Sequence, residues 1–166
     1  MNPAIDTLCA RLAQALQERG WMLATAESCT GGLIAASCTD LSGSSAWFER
    51  GFVTYSNEAK TEQLGVDAAL IAAHGAVSEA VARAMAFGAV RHSRAQVGVA
   101  VTGIAGPSGG SADKPVGTVW FGFSVDGRLW SETRRFTGDR AAVRAATVEH
   151  ALQRLLQLLQ PGAAAP

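Results

Sequence analysis

The sequence predicts an α/β fold, a three-layer α/β/α sandwich around a mixed, mostly parallel sheet that contains one antiparallel hairpin. Three observations carry this. Short apolar runs such as WMLATA (21–26) and QVGVAV (96–101) alternate with longer segments of helical period, the pattern of strands joined by crossover helices. Asp126-Gly127 stands between two aromatic and β-branched runs, and this dipeptide favours the type I′ turn of a hairpin. The chain has 166 residues, 48% of them hydrophobic, which suffices for one core and one domain, set at residues 1–160.

Each element follows in order. Ile5, Leu8, Cys9, Leu12 and Leu16 recur at three- and four-residue steps, one apolar stripe of a helix that Gly20 can end. WMLATA follows as a buried strand. Leu33 to Ala36 open a small-residue helix after the Gly31-Gly32 pair, so Ser28 falls at a strand-to-helix junction. Ser42 to Ser45 punctuate the chain before WFERGFVTYS (47–56), whose composition suits a strand. SNEAKTEQLGV (56–66) reads as a short helix with Ser56 or Asn57 as its cap and Gly65 as its stop. Ser78 caps the next helix, in which Val81, Met85 and Val90 give an apolar side. QVGVAV is a buried strand, and TGIAGPSGGSADKP (102–115) is a loop of a length that is uncommon unless functional or disordered. VGTVWFGFSV (116–125) and RLWSETRRF (128–136) flank the hairpin turn. A last helix runs from Asp139 to Leu159, and PGAAAP (161–166) is a flexible, frayed tail.

Composition narrows the function classes. The 14 basic and 14 acidic side chains balance, which argues against a nucleic-acid partner, because such partners call for a basic face. Arginines gather only between Arg134 and Arg144, enough for a single phosphate. Three cysteines, Cys9, Cys29 and Cys38, form no CxxC pair and suggest neither a disulfide framework nor a zinc site. A reducing compartment follows. The N-terminal segment lacks the charge and apolar pattern of a signal peptide, and no apolar run approaches the roughly 20 residues a bilayer needs. A cytoplasmic protein without a membrane partner is expected.

Two loops at predicted strand ends hold the candidates for chemistry, because ligands of open α/β sheets settle there. In ESCTGG (27–32), Ser28 could attack a substrate while the amides of Thr30, Gly31 and Gly32 stabilise an oxyanion; equally, Ser28 could cap the following helix. Cys29 is the better intrinsic nucleophile, yet a buried structural thiol is the commoner case. No histidine is well placed, which leaves lysine as a base. Only Lys60 and Lys114 exist, and Lys60 falls in the first turn of the helix after Tyr55. A helix N-terminus and burial both favour the neutral amine that a base requires, although a lone lysine on a helix is more commonly a solvated surface group. The second loop, with Thr102, Gly103, Gly106, Gly109 and Gly110, permits close backbone approach to a phosphate or sugar but has no P-loop ending. Arg140 and Arg144 share one helix face and could bind a phosphate or pair with surface carboxylates.

TAESCTGGLIAA, GSSAWFERGFVTYSNEAKTEQLGV, HGAVSEAVARAMA, AVTGIAGPSGG and KPVGTVWFGF occur in an order that resembles the CinA C-terminal domain family, over roughly Ile5 to Leu159. Stand-alone members of that family include nicotinamide-nucleotide amidohydrolases. The resemblance implies hydrolysis of the carboxamide of nicotinamide mononucleotide, with Ser28, Tyr55 and Lys60 on the family's catalytic positions and no metal or cofactor. In the implied mechanism Lys60 takes the Ser28 proton and Tyr55 orients the pair or relays the proton. The mononucleotide phosphate would lie against the Gly103–Gly110 loop with Arg140 or Arg144. A nucleotide-binding module without turnover and an amidase for another substrate are the alternatives. The ring could stack on Tyr55, Phe48 or Trp47, and the apolar last helix could serve a homo-oligomer, a dimer in the simplest case.

Overall fold

In the computed structural model, which describes residues 2–166, Asn2 opens the first helix by accepting the Ala4 N–H on its side chain. Pro3 fits the next position, where no N–H is needed. Helix α1 (Pro3–Arg19) then ends on Gly20 at φ 66°, a left-handed conformation suited to glycine. Strand β1 (Leu23–Glu27) leads into α2 (Leu33–Thr39), and a 3-10 turn at Ser44–Ala46 precedes β2 (Phe48–Val53). Ser56 caps α3 (Asn57–Leu64) and Gly65 closes it at φ 69°. A further helix, α4 (Ala68–His74), follows before Ser78 caps α5 (Glu79–Arg91). Strand β3 (Val97–Gly103) precedes the glycine-rich loop, and β4 (Thr118–Val125) and β5 (Arg128–Arg135) form the expected hairpin around Asp126 and Gly127, at φ 49° and 84°. Asp139 caps α6 (Arg140–Leu158) through the Ala142 N–H.

The five strands lie in the order β2-β1-β3-β4-β5. β1 pairs in parallel with β2 and β3, and the β3–β4 and β4–β5 pairs are antiparallel. The sheet is mixed as expected, and only β4 runs against the other strands.

Strand alternation divides the core in two. Leu23, Val97, Val99, Val101, Phe121 and Phe123 meet α1, α2 and α6, where Leu12, Leu16, Leu152 and Leu155 are fully buried. Each such side chain contributes about 1.5–3 kcal/mol by leaving water. The opposite face carries Ala24, Ala26 and Ala100 against Val81, Met85 and Ala86 of α5 and Leu64 of α3. A Cβ at Gly122 would lie 2.2 Å from the Ala82 carbonyl oxygen, so α5 sits on the sheet at a distance that only small residues allow. Two apolar faces thus explain the three layers.

In the tail, the Trp130 indole N–H donates to the Ala164 carbonyl at 3.0 Å. No helix among the described residues is long and apolar enough to cross a membrane.

Candidate active site

Parallel pairing aligns Glu27 of β1 with Val53 of β2 and Val101 of β3, so three chains leave the sheet side by side. The Ser28 N–H extends the pairing by donating to the Val101 carbonyl at 3.1 Å, and the chain then turns through Gly31 and Gly32, at φ 59° and 105°. Glu27, fully buried, directs its carboxylate under this turn. It accepts from the Thr30 hydroxyl and from the Ile34 and Ala35 N–H groups at 2.8 and 3.0 Å. A carboxylate thereby satisfies the otherwise free amides at the start of α2. Ser28 is not needed as a cap, and its hydroxyl is left for another partner.

That partner is Lys60. Its side chain is 1% exposed, and Nζ lies 3.1 Å from Ser28 Oγ, 2.9 Å from the Thr54 carbonyl, 3.2 Å from that of Tyr55 and 3.5 Å from that of Ser56. Burial lowers the Lys60 pKa below the ordinary lysine value of 10.5. A neutral amine has two N–H donors and one lone pair. The two nearest carbonyls take the donors, and the lone pair is free to accept the Ser28 hydroxyl proton. Cys29 is the opposite case. Burial pushes its thiol up to about 11, so it stays protonated beside the serine.

Ser28, Cys29 and Lys60 lie in a cleft of about 330 Å³, with Tyr55 and Asn57 on one wall and the loop from Thr102 to Gly109 on the other. Arg140 stands at the rim, where its guanidinium donates to the Tyr55 hydroxyl at 3.2 Å and to the Gly106 carbonyl at 2.9 Å. Arg144 turns inward and donates to the carbonyls of Cys29 and Thr30, each at 3.1 Å. Among the described residues no group of three or more His, Cys, Asp and Glu side chains could hold a metal ion.

The family model described as the CinA C-terminal domain matches residues 5–159. The chain belongs to the CinA C-terminal domain family. Nicotinamide-nucleotide amidohydrolase PncC of Escherichia coli K12 is 56% identical over 152 residues, covering 90% of this chain and 92% of that protein. A CinA-like protein of Geobacter sulfurreducens is 53% identical over 155 residues, covering 93% of this chain but 37% of the longer relative. Among solved structures, competence/damage inducible protein CihA from Agrobacterium tumefaciens superposes with a TM-score of 0.93 at 46% identity, covering 96% of this chain and 98% of that one.

The CinA motifs bring some expected residues together and separate others. Ser28 and Lys60, 32 positions apart, meet. Tyr55 contributes its backbone carbonyl to Lys60, while its side chain is 60% exposed and bonds to Arg140, so the phenol makes no hydrogen bond with the Ser28–Lys60 pair. The Gly31 N–H donates to the Ser28 carbonyl at 3.0 Å, and Thr30, Gly31 and Gly32 do not line the cleft. Cys29, the residue after the serine, does line it. Thr102 uses its hydroxyl on the Ala76 carbonyl at 2.9 Å. Gly103 lines the cleft, but a Cβ there would lie 2.7 Å from Val119 Cγ2, and one at Gly106 2.4 Å from Val116 Cγ1. Gly110 stands back from the cleft, where a Cβ would lie 2.8 Å from the Val116 N. Packing therefore accounts for these glycines independently of any phosphate. Of the three aromatic candidates only Tyr55 reaches the cleft, since Trp47 is buried in the core and Phe48 packs against it. Glu27 was not among the expected residues. The signal for it was an acidic side chain at the end of a strand whose short glycine-containing turn leads into a helix.

Proposed function

We propose that this chain is a nicotinamide-nucleotide amidohydrolase that converts nicotinamide mononucleotide to nicotinic acid mononucleotide and ammonia, with Ser28 as nucleophile and Lys60 as base. The contact of 3.1 Å between a buried amine and a serine hydroxyl at the floor of a cleft carries the mechanistic part of this reading. The substrate is taken from the relatives named for that activity.

In the proposed reaction the Lys60 lone pair takes the Ser28 proton as Oγ bonds to the carboxamide carbon, and the carbonyl pair moves onto oxygen. A backbone N–H on the cleft side of the Ser28 turn stabilises that oxyanion. Collapse of the tetrahedral intermediate breaks the C–N bond, and Lys60 gives its proton to the departing nitrogen, which leaves as ammonia. Water, deprotonated by Lys60, then attacks the Ser28 ester and Ser28 recovers the proton. Arg140 at the rim is suited to the phosphate, and Tyr55 beside it to the pyridine ring.

The test is ammonia release from nicotinamide mononucleotide without added metal, with nicotinamide and NAD as competitors. We expect release specific to the mononucleotide, abolished in folded Ser28→Ala and largely retained in Cys29→Ala. Thermal stabilisation by the mononucleotide without any release would point instead to a binding module.

A further inference from the structure

The peptide groups of the Ser28 turn are linked end to end, and the chain of bonds begins at Arg144. Its Nη2 donates to the Thr30 carbonyl at 3.1 Å. That carbonyl belongs to the same peptide plane as the Gly31 N–H, which donates to the Ser28 carbonyl at 3.0 Å. The Ser28 carbonyl in turn shares its plane with the Cys29 N–H. Among the described residues no other residue accepts from the Cys29 N–H, and Cys29 lines the cleft. Arg144 Nε also fixes the Cys29 carbonyl at 3.1 Å, so the residue following the nucleophile is gripped from outside the turn.

A donor at the oxygen end of a peptide draws electron density from its N–H end, and successive bonds reinforce one another. The N–H of the residue after a nucleophilic serine is a recurrent oxyanion donor. We propose that Arg144 is a positioning residue of the oxyanion site: it holds the Ser28 turn and, through the Thr30–Gly31 and Ser28–Cys29 peptides, strengthens the Cys29 N–H as the donor to the developing oxyanion. The inference rests on the amidohydrolase reading for its substrate and on the bonds above for its geometry. Because Arg144 also borders the hollow beside Asp139 and Arg140, a direct grip on the substrate phosphate is the competing role.

Arg144→Lys and Arg144→Ala are compared with the wild type on nicotinamide mononucleotide and on nicotinamide riboside, which lacks the phosphate, with and without added guanidinium ion. Losing one direct oxyanion donor costs roughly 10²–10³ in kcat, so an indirect support is expected to cost about 10- to 100-fold. That fall should appear on both substrates with KM little changed, and guanidinium should restore part of it in Arg144→Ala. Lysine keeps the charge but not the fork, so Arg144→Lys should also be slow. A KM raised for the mononucleotide alone, with kcat unchanged, would assign Arg144 to the phosphate and overturn the proposal, as would an unaltered kcat on both substrates. Thermal midpoints report folding, and if Arg144→Ala collapses, Arg144→Lys decides. If the wild type releases ammonia from neither compound, the substrate reading fails by itself. The proposal is then decided by the rate at which an alkyl fluorophosphonate labels Ser28: slower labelling in Arg144→Lys supports it and equal labelling sinks it.

Discussion

The turn after β1 and the loop after β3 leave adjacent parallel strands at the same end of the sheet, and both are rich in glycine, yet they are held by opposite means. The Ser28 turn is gripped by ionic groups, Glu27 from below through the α2 amides and Arg144 from the side through two carbonyls. The loop takes its shape from close packing on Val116 and is fastened at the surface, by Arg140 on the Gly106 carbonyl and by Lys114 on the His74 carbonyl at 2.8 Å. The first arrangement fixes the position of the Ser28 hydroxyl, the proposed nucleophile. The second shapes the wall that a substrate meets, and its residues can change without moving Ser28.

Removing the proposed base, Lys60, should break this contrast most severely. Lys60→Met is expected to lower kcat about 10³-fold while leaving the cleft wall intact, measured as ammonia release. In the wild type, activity should rise with pH through the lowered Lys60 pKa, because only the neutral amine accepts a proton. Stability follows the same sign. Between that lowered value and 10.5 the unfolded chain binds more protons, so the Lys60 contribution is complete above 10.5 and lost as pH falls through the folded value. Urea titrations across this range should show the slope in the wild type and not in Lys60→Met.

A smaller effect is expected at Glu27. Glu27→Gln replaces an acceptor by an amide donor facing the α2 N–H groups, and should reduce unfolding free energy by about 2 kcal/mol in urea titration. A loss of turnover without loss of stability would mean that Glu27 acts in the chemistry and not as a support. The smallest effect belongs to the loop. Gly106→Ala introduces a Cβ 2.4 Å from Val116 Cγ1 at φ 83°, which should cost about 1 kcal/mol and raise KM several-fold with kcat nearly kept. An equal fall in kcat would erase the division of labour between the two segments.

Helix ends were legible because their signals are local. Gly20 and Gly65 adopt positive φ, the side chains of Ser56, Ser78 and Asp139 each accept a backbone N–H at a helix start, and Asp126-Gly127 makes the hairpin. The short α4, with its alanine-rich AALIAAH, was not legible, because two turns of small residues carry no clear apolar period. At the site, spacing and resemblance singled out Ser28 and Lys60. The direction of Tyr55 toward Arg140 and of Arg144 toward Cys29 depends on contacts across 85 and 115 positions, which no periodicity records. Glu27 escaped because a carboxylate in a strand reads as solvent-facing until the helix above it supplies the N–H groups that make burial tolerable.

The carbonyls around Lys60 have a geometric corollary. An imidazole can receive a proton at one nitrogen while the other is held elsewhere, whereas an amine has a single atom for every exchange. Here the remaining directions of that atom are walled by the backbone of Thr54 and Tyr55. The nitrogen is a cul-de-sac with one entrance, beside Ser28. In the proposed mechanism whatever proton enters returns by the same opening, and a substrate therefore presents its attacked carbon and its departing group toward the same side of the cleft.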